Sequence, residues 1–230
     1  MRHFEVELEE LNKQLLEMCA LVASSVQRSV LSLIDKNEDL AHQVLRDETR
    51  VDQMENQIDE LAMRLIIHTQ PVAKDMRFII GAIKIDTDLE RMGDLAVHIV
   101  ERALLMMHDS HVEGAEDIPK LSKLVESMVL ASLDSFVKGD VETARKILES
   151  DDAVDKLRNS ITQELTAAMQ RDPASIPHAL DLMIVARQLE RIADHATNIA
   201  EDVIFMINGE EVRHHPLDIA EGAPASVPSP

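Results

Sequence analysis

The chain has no tryptophan, no tyrosine and only four phenylalanines in 230 residues, so its core has to be aliphatic. Glycine and proline are also scarce, at six and eight. That is too few for the many tight turns of a β-sandwich or barrel, and it leaves helices as the expected element. The single cysteine, Cys19, excludes an intramolecular disulfide framework and a cysteine-built zinc site, and reads as a core residue. Positive charge is in short supply as well: 23 Lys and Arg stand against 43 Asp and Glu, a net charge of -20. Such a field repels nucleic acid and bare anionic membrane, so no nucleic-acid partner is expected. The opening residues lack the apolar stretch of a secretory signal, and no run reaches the roughly 18 uncharged apolar residues of a membrane span. The expectation is a soluble, cytoplasmic protein.

What the chain does have is periodicity. Leu8, Leu11, Leu15, Met18, Val22, Val26 and Val30 recur at three and four, which predicts a first helix over about Phe4 to Ile34. A second runs from near Glu38 to His68. Pro71, lacking an N–H and fixing φ, suits the first turn of a third helix, which ends near Met107. The stretch around 109–119 loses periodicity and reads as a linker. Three further helices fit at about Lys120 to Val137, Asp140 to Gln170 and Ile176 to Ile207, and residues 208–230, rich in proline, read as a disordered tail. The methionines, among them Met54, Met63, Met92 and Met128, are expected to fill the gaps that aromatic rings would otherwise occupy.

The two halves match in detail. Leu89-Glu90-Arg91-Met92-Gly93-Asp94 aligns with Leu189-Glu190-Arg191-Ile192-Ala193-Asp194, and Glu48-x-x-Val51-Asp52 aligns with Asp151-x-x-Val154-Asp155. An internal duplication follows. Long helices with short connections form bundles, so the expected fold is all-α: two tandem three-helix bundles, residues 1–108 and 120–207, joined end to end or side by side.

Four acidic pairs therefore fall at matching places: Glu48 with Asp52, Glu90 with Asp94, Asp151 with Asp155, and Glu190 with Asp194. Residues four apart in a helix share a face, with Cβ atoms about 6 Å apart, and like charges so placed repel. A hard cation held by oxygen ligands would compensate. So would a salt-bridged helix face, with Arg50, Arg91 or Arg191 as partner. Roughly eight such pairs arise by chance in so acidic a chain, and the weight comes from their placement. Asp86 and His98 extend the stripe in the first half, and Asn198 and Asp202 extend it in the second, as additional ligands or their supports. His42, His68, His108, His111 and His178 lie at ends or on polar faces. There is no Gly-rich phosphate loop and no nucleophile arrangement with a local signature.

Several segments together resemble one family. Arg2-x-Phe4 opens the first helix, Gln70-Pro71-x-Ala73-x-Asp75-x-Arg77 stands at the second turn, and Asp88-Leu89-Glu90-Arg91-Met92-Gly93-Asp94 lies on the third. Leu189-Glu190-Arg191-Ile192-Ala193-Asp194-His195-Ala196-Thr197-Asn198-Ile199-Ala200-Glu201 completes the set on the last. In this order, over residues 1–207, the chain resembles the PhoU family of phosphate-uptake regulators. The resemblance implies paired three-helix bundles with E(D)xxxD motifs, here the four pairs above, which in some members bind multinuclear iron or zinc. Manganese, magnesium and calcium suit the same oxygen ligands. It further implies a non-enzymatic adaptor between the ATPase subunit of a phosphate ABC transporter and a membrane sensor histidine kinase. Such an adaptor would restrain the phosphate-starvation response, often as a homodimer at the inner face of the membrane. Ala193 stands where the first half has Gly93, and Ala186 replaces the carboxylate Asp86, which leaves the second bundle's metal content open. Two rivals remain: a ferritin-like carboxylate-bridged metal enzyme or storage protein, and a structural helical dimer without ligand. The first fits less well, because that class carries Glu-x-x-His on two helices and none of the four pairs has a histidine three residues after its glutamate.

Overall fold

The computed structural model describes residues 2–107, 116–210 and 212. Among them are six α-helices and no strand: α1 (Arg2–Ile34), α2 (Glu38–Thr69), α3 (Ala73–Leu105), α4 (Ile118–Lys138), α5 (Val141–Arg171) and α6 (Ile176–Asn208), with one 3-10 turn at Pro173–Ser175. Most of the linker, 108–115, and nearly all of the tail beyond 210 lie outside the described residues.

Local chemistry sets the helix ends. Lys36 takes a left-handed conformation with φ 51°, after which Asn37 caps α2 by accepting a hydrogen bond from the Leu40 N–H at 3.2 Å. The second half repeats this device. Gly139, with φ 62°, ends α4, and the Asp140 carboxylate accepts from the Glu142 and Thr143 N–H groups, both at 3.1 Å. Pro71 behaves differently from expectation. It lies before α3, which begins at Ala73 with Val72 as its cap residue, because left-handed Gln70 has already turned the chain. Pro119 and Pro177, by contrast, do sit in the first turns of α4 and α6.

Each half is a three-helix bundle, α1–α2–α3 and α4–α5–α6, and the two lie side by side. The duplication reaches further than the motifs that revealed it. Ser29 and Ser32 of α1 are buried and return their hydroxyls to the carbonyls of Val26 and Ser29, both at 2.7 Å. Ser132 and Ser135 of α4 repeat the arrangement on Val129 and Ser132 at 2.8 and 2.7 Å. Back-bonding of this kind satisfies a buried hydroxyl without a tertiary partner, so small side chains can line a helix contact without a desolvation cost.

The core is aliphatic and continuous through both bundles. Met18, Met92 and Met128 are buried in it as expected, but Met63 is exposed. Cys19 is buried. α1 is long and apolar enough, over Phe4–Ile34, to cross a membrane, a property that counting only uncharged runs does not reveal. Its apolar stripe faces inward: Leu11, Leu15, Met18 and Val22 have no exposure at all.

The seam between the halves is formed mainly by α3 against α6, with α1 against α4 beside them. α3 and α6 run antiparallel, as the order of their pairs shows. Lys84 meets Asp202 at 3.2 Å and lies over the Phe205 ring. Asp88 accepts from Asn198 Nδ2 at 3.1 Å and stands 2.7 Å from His195 Nδ1. Arg102 meets Asp181 at 3.4 Å. Gly81 admits Met206 so closely that a Cβ at this position would lie 2.2 Å from the Met206 Cγ.

Candidate functional site

Two acidic faces flank this seam, one per bundle. On α2 the residues Glu48, Asp52, Glu55 and Asp59 follow one another at four, three and four, the spacing of a single helix face. On α3, Asp86, Glu90 and Asp94 form the facing row. Their mutual fields show that the rows are close. The Glu48 carboxyl is raised above its ordinary range by burial, then by Asp52 on its own helix and Asp94 across the gap. Glu90 is raised by burial and Asp94, with Glu55 and Asp52 adding from α2 and Arg91 opposing. Glu55 is raised by burial and by Asp59, Asp52 and Asp94. Two of the predicted pairs thus come together, and Glu55 and Asp59, which the pairwise reading did not single out, join them. The signal that would have found these two is the continuation of the same stripe by three and by seven.

Asp86 is the deepest member. It has no exposed surface, and neither carboxylate oxygen has a hydrogen-bond partner. Burial is the main reason its carboxyl is pushed up to about 8, and Asp59, Glu55 and Glu90 add to the effect. Its field also reaches α1, where burial chiefly pushes the Cys19 thiol up to about 12 and Asp86 contributes. The only cation paired with this face among the described residues is Arg91, which stands at the rim, 3.3 Å from Glu90 and 3.7 Å from Asp94.

The α5–α6 face is built from the same template with different occupants. Asp151 is raised by burial and by Asp194, Asp155, Asp152 and Glu190. Asp194 is raised by burial, Glu190 and Asp155, while His195 and Arg191 pull it down. So the second two pairs also converge. In the register that aligns Glu48 with Asp151, however, Glu55 corresponds to Arg158 and Asp59 to Thr162, and in the α3–α6 register Asp86 corresponds to Ala186. Arg158 donates from Nη2 to Glu190 Oε1 across the two helices and from Nη1 to Asn159 Oδ1 at 2.7 Å. The salt-bridged alternative considered from spacing is thus met in the first face by Arg91, one of the arginines named, and here by Arg158, which was not.

The stripe extensions fare unequally. Asp86 lies under the first face. His98 is exposed on the surface of α3. Asn198 and Asp202 belong to the seam, where Asp88 and Lys84 engage them. At 3.6 residues per turn each four-residue step rotates a side chain by about 40°, so a stripe that begins over α5 drifts towards α3 within two steps. Among the described residues no three carboxylate, imidazole or thiol groups stand close enough together to hold a metal as placed, as expected of like charges without a counter-ion.

A duplicated all-helical bundle carrying one acidic face per repeat defines the class of the protein. The PhoU domain model matches residues 15–103 and again 118–203, and the chain belongs to the PhoU family. It is 37% identical over 214 residues to the phosphate-specific transport system accessory protein PhoU homolog of Pseudomonas aeruginosa, covering 93% of this chain and 88% of that one. It is 39% identical over 208 residues to the Aquifex aeolicus homolog, covering 90% and 94%. Among solved structures, PhoU from Pseudomonas aeruginosa superposes with a TM-score of 0.87 at 36% identity, over 90% of this chain and all of that one. The phosphate transport system regulatory protein PhoU from Streptococcus pneumoniae gives 0.83 at 28%, covering 91% and 99%.

Proposed function

We propose that the chain is a phosphate-transport accessory protein acting as a non-enzymatic adaptor. It links the ATPase subunit of a phosphate ABC transporter to a membrane sensor histidine kinase, and it restrains the phosphate-starvation response when phosphate is plentiful. The observation that carries this reading is the match of both repeats, at nearly full length, to proteins named for that system. The geometry is compatible with it. The side-by-side bundles present long helix faces for protein contact, and none of the candidate residues combines a nucleophile with a base. A cytoplasmic position against the inner face of the membrane follows from those partners, and a homodimer is part of the same proposal.

Cation binding on the acidic faces belongs to the proposal too. The fit is favourable at α2–α3, where Asp86 is a buried carboxylate with no protein partner and oxygen ligands suit hard cations such as magnesium, manganese, calcium or iron, with zinc also accommodated. Bound there, a cation would supply the charge that this face lacks. A ferritin-like enzyme is disfavoured, because none of the four acidic pairs carries a histidine three residues after its glutamate.

The direct test is deletion of the gene with a phosphate-scavenging reporter in rich phosphate. Derepression is expected, and unchanged expression refutes the regulatory role. Affinity purification from membranes should recover transporter and kinase together, and recovery of neither refutes the adaptor role.

A further inference from the structure

The two duplicated faces are not equivalent, and the difference lies in three paired positions. Where α2 carries Glu55 and Asp59, α5 carries Arg158 and Thr162, and where α3 carries Asp86, α6 carries Ala186. We infer that only the α2–α3 face takes up a hard multivalent cation, with Asp86 as its innermost ligand, and that Arg158 is a built-in counter-ion occupying the cation's role in the α5–α6 face. This rests on the proposal that the acidic faces bind cations at all, and it divides that proposal between the two bundles.

The physical case begins at Asp86. A carboxylate with no exposed surface and two partnerless oxygens has lost its hydration and received nothing in return. Glu55, Asp59 and Glu90 are the groups whose fields fall on it, so protein charge makes its position worse. A proton or a metal ion is what relieves such a group, and a cation that also draws in Glu55, Asp59 and Glu90 relieves all of them at once.

The second face has no carboxylate at the position of Asp86, although Asp151 and Asp194 are still raised by their acidic neighbours. Its Arg158 already donates to Glu190, the residue matching Glu90, and Ala186 leaves nothing at the position of Asp86. A fixed guanidinium is always charged and disfavours a second cation beside it. Substitution of one acid by a base, together with loss of two more acidic side chains, therefore converts a face that calls for an ion into one whose Glu190 is compensated by the protein itself.

Mn2+ titration of the chelated full-length protein, followed by loss of the free-ion electron paramagnetic resonance signal, tests this. One class of site is expected, weakened at least ten-fold by Asp86→Asn and by Glu55→Gln, and unchanged in Asp194→Asn. Arg158→Glu is expected to add a second class of site, which Asp194→Asn then removes. Circular dichroism on every variant confirms that the helices persist. Two equal classes in the parent protein, with half the bound Mn2+ lost in Asp194→Asn, would overturn the asymmetry while leaving cation binding intact. Unaltered binding in both Asp86→Asn and Glu55→Gln would overturn the assignment of ligands. No saturable binding by any variant would overturn the underlying cation proposal and this inference with it.

Discussion

The α2–α3 and α5–α6 faces descend from one repeat, occupy matching places on either side of the seam, and solve the same electrostatic problem in different ways. In the second, Arg158 meets Glu190 within the protein. In the first, among the described residues, Arg91 at the rim is the one cation paired with the row of Glu48, Asp52, Glu55, Asp59, Asp86, Glu90 and Asp94. A duplicated site can thus keep its geometry while one copy acquires a counter-ion within the protein and the other keeps its acids largely unpaired. Three substitutions suffice, because the helix faces that aim these positions are preserved by the core beneath them.

The comparison can be sharpened most at Asp86. Its folded carboxyl is raised from 3.8 to about 8, so between those values the folded chain holds a proton that the unfolded chain has released. Stability is then fullest below the unfolded value and falls as pH rises through the folded one, by up to about 1.4 kcal/mol per pH unit. In chelated protein, Asp86→Asn should make this decline shallower than in the parent, measured by denaturant unfolding at a series of pH values. A parallel decline in both proteins would show that Asp86 does not hold that proton. The equivalent position in the other half, Ala186, offers no titrating group and should contribute nothing to the slope.

The next effect lies in the seam that holds the two faces in register. Asp88→Ala removes the acceptor shared by His195 and Asn198 and leaves their donors without it in a mostly buried contact. A loss of about 2–3 kcal/mol is expected in thermal or urea unfolding. A change below half that range would mean that the Asp88 cluster contributes little to holding the halves together.

Arg158→Met addresses the second face directly. It leaves Glu190 without its partner, and because both side chains keep some solvent access the cost should be about 1–2 kcal/mol, below that of a fully buried pair. Arg158→Met made on a Glu190→Gln background should cost less than on the parent, and an equal cost on both would point to packing of the arginine stem. His42→Ala, which breaks an exposed contact with Glu38, serves as the lower bound. Its effect on melting should stay within about 0.5 kcal/mol.

Much of this architecture was legible in the residues. Periodicity located all six helices, with α1 predicted at Phe4–Ile34 and described as Arg2–Ile34, because an apolar stripe at three and four leaves few alternatives. The misplaced boundary at Pro71 arose where left-handed Gln70 turned the chain earlier than proline required. The four acidic pairs were visible because duplication repeated them. Glu55 and Asp59 were passed over because they do not repeat, and Asp88 and His195 because their partnership joins positions more than a hundred residues apart.

The amino-acid sequence by itself determined the helices, the duplication, the aliphatic core and the family, since each depends on spacing along one chain. Only the tertiary structure decided which acids face one another, that Asp86 is left without a partner, and that Arg158 closes the second face. Those facts depend on the rotation of one helix against another, and a drift of about 40° per step along a stripe is enough to send Asn198 and Asp202 to the seam instead.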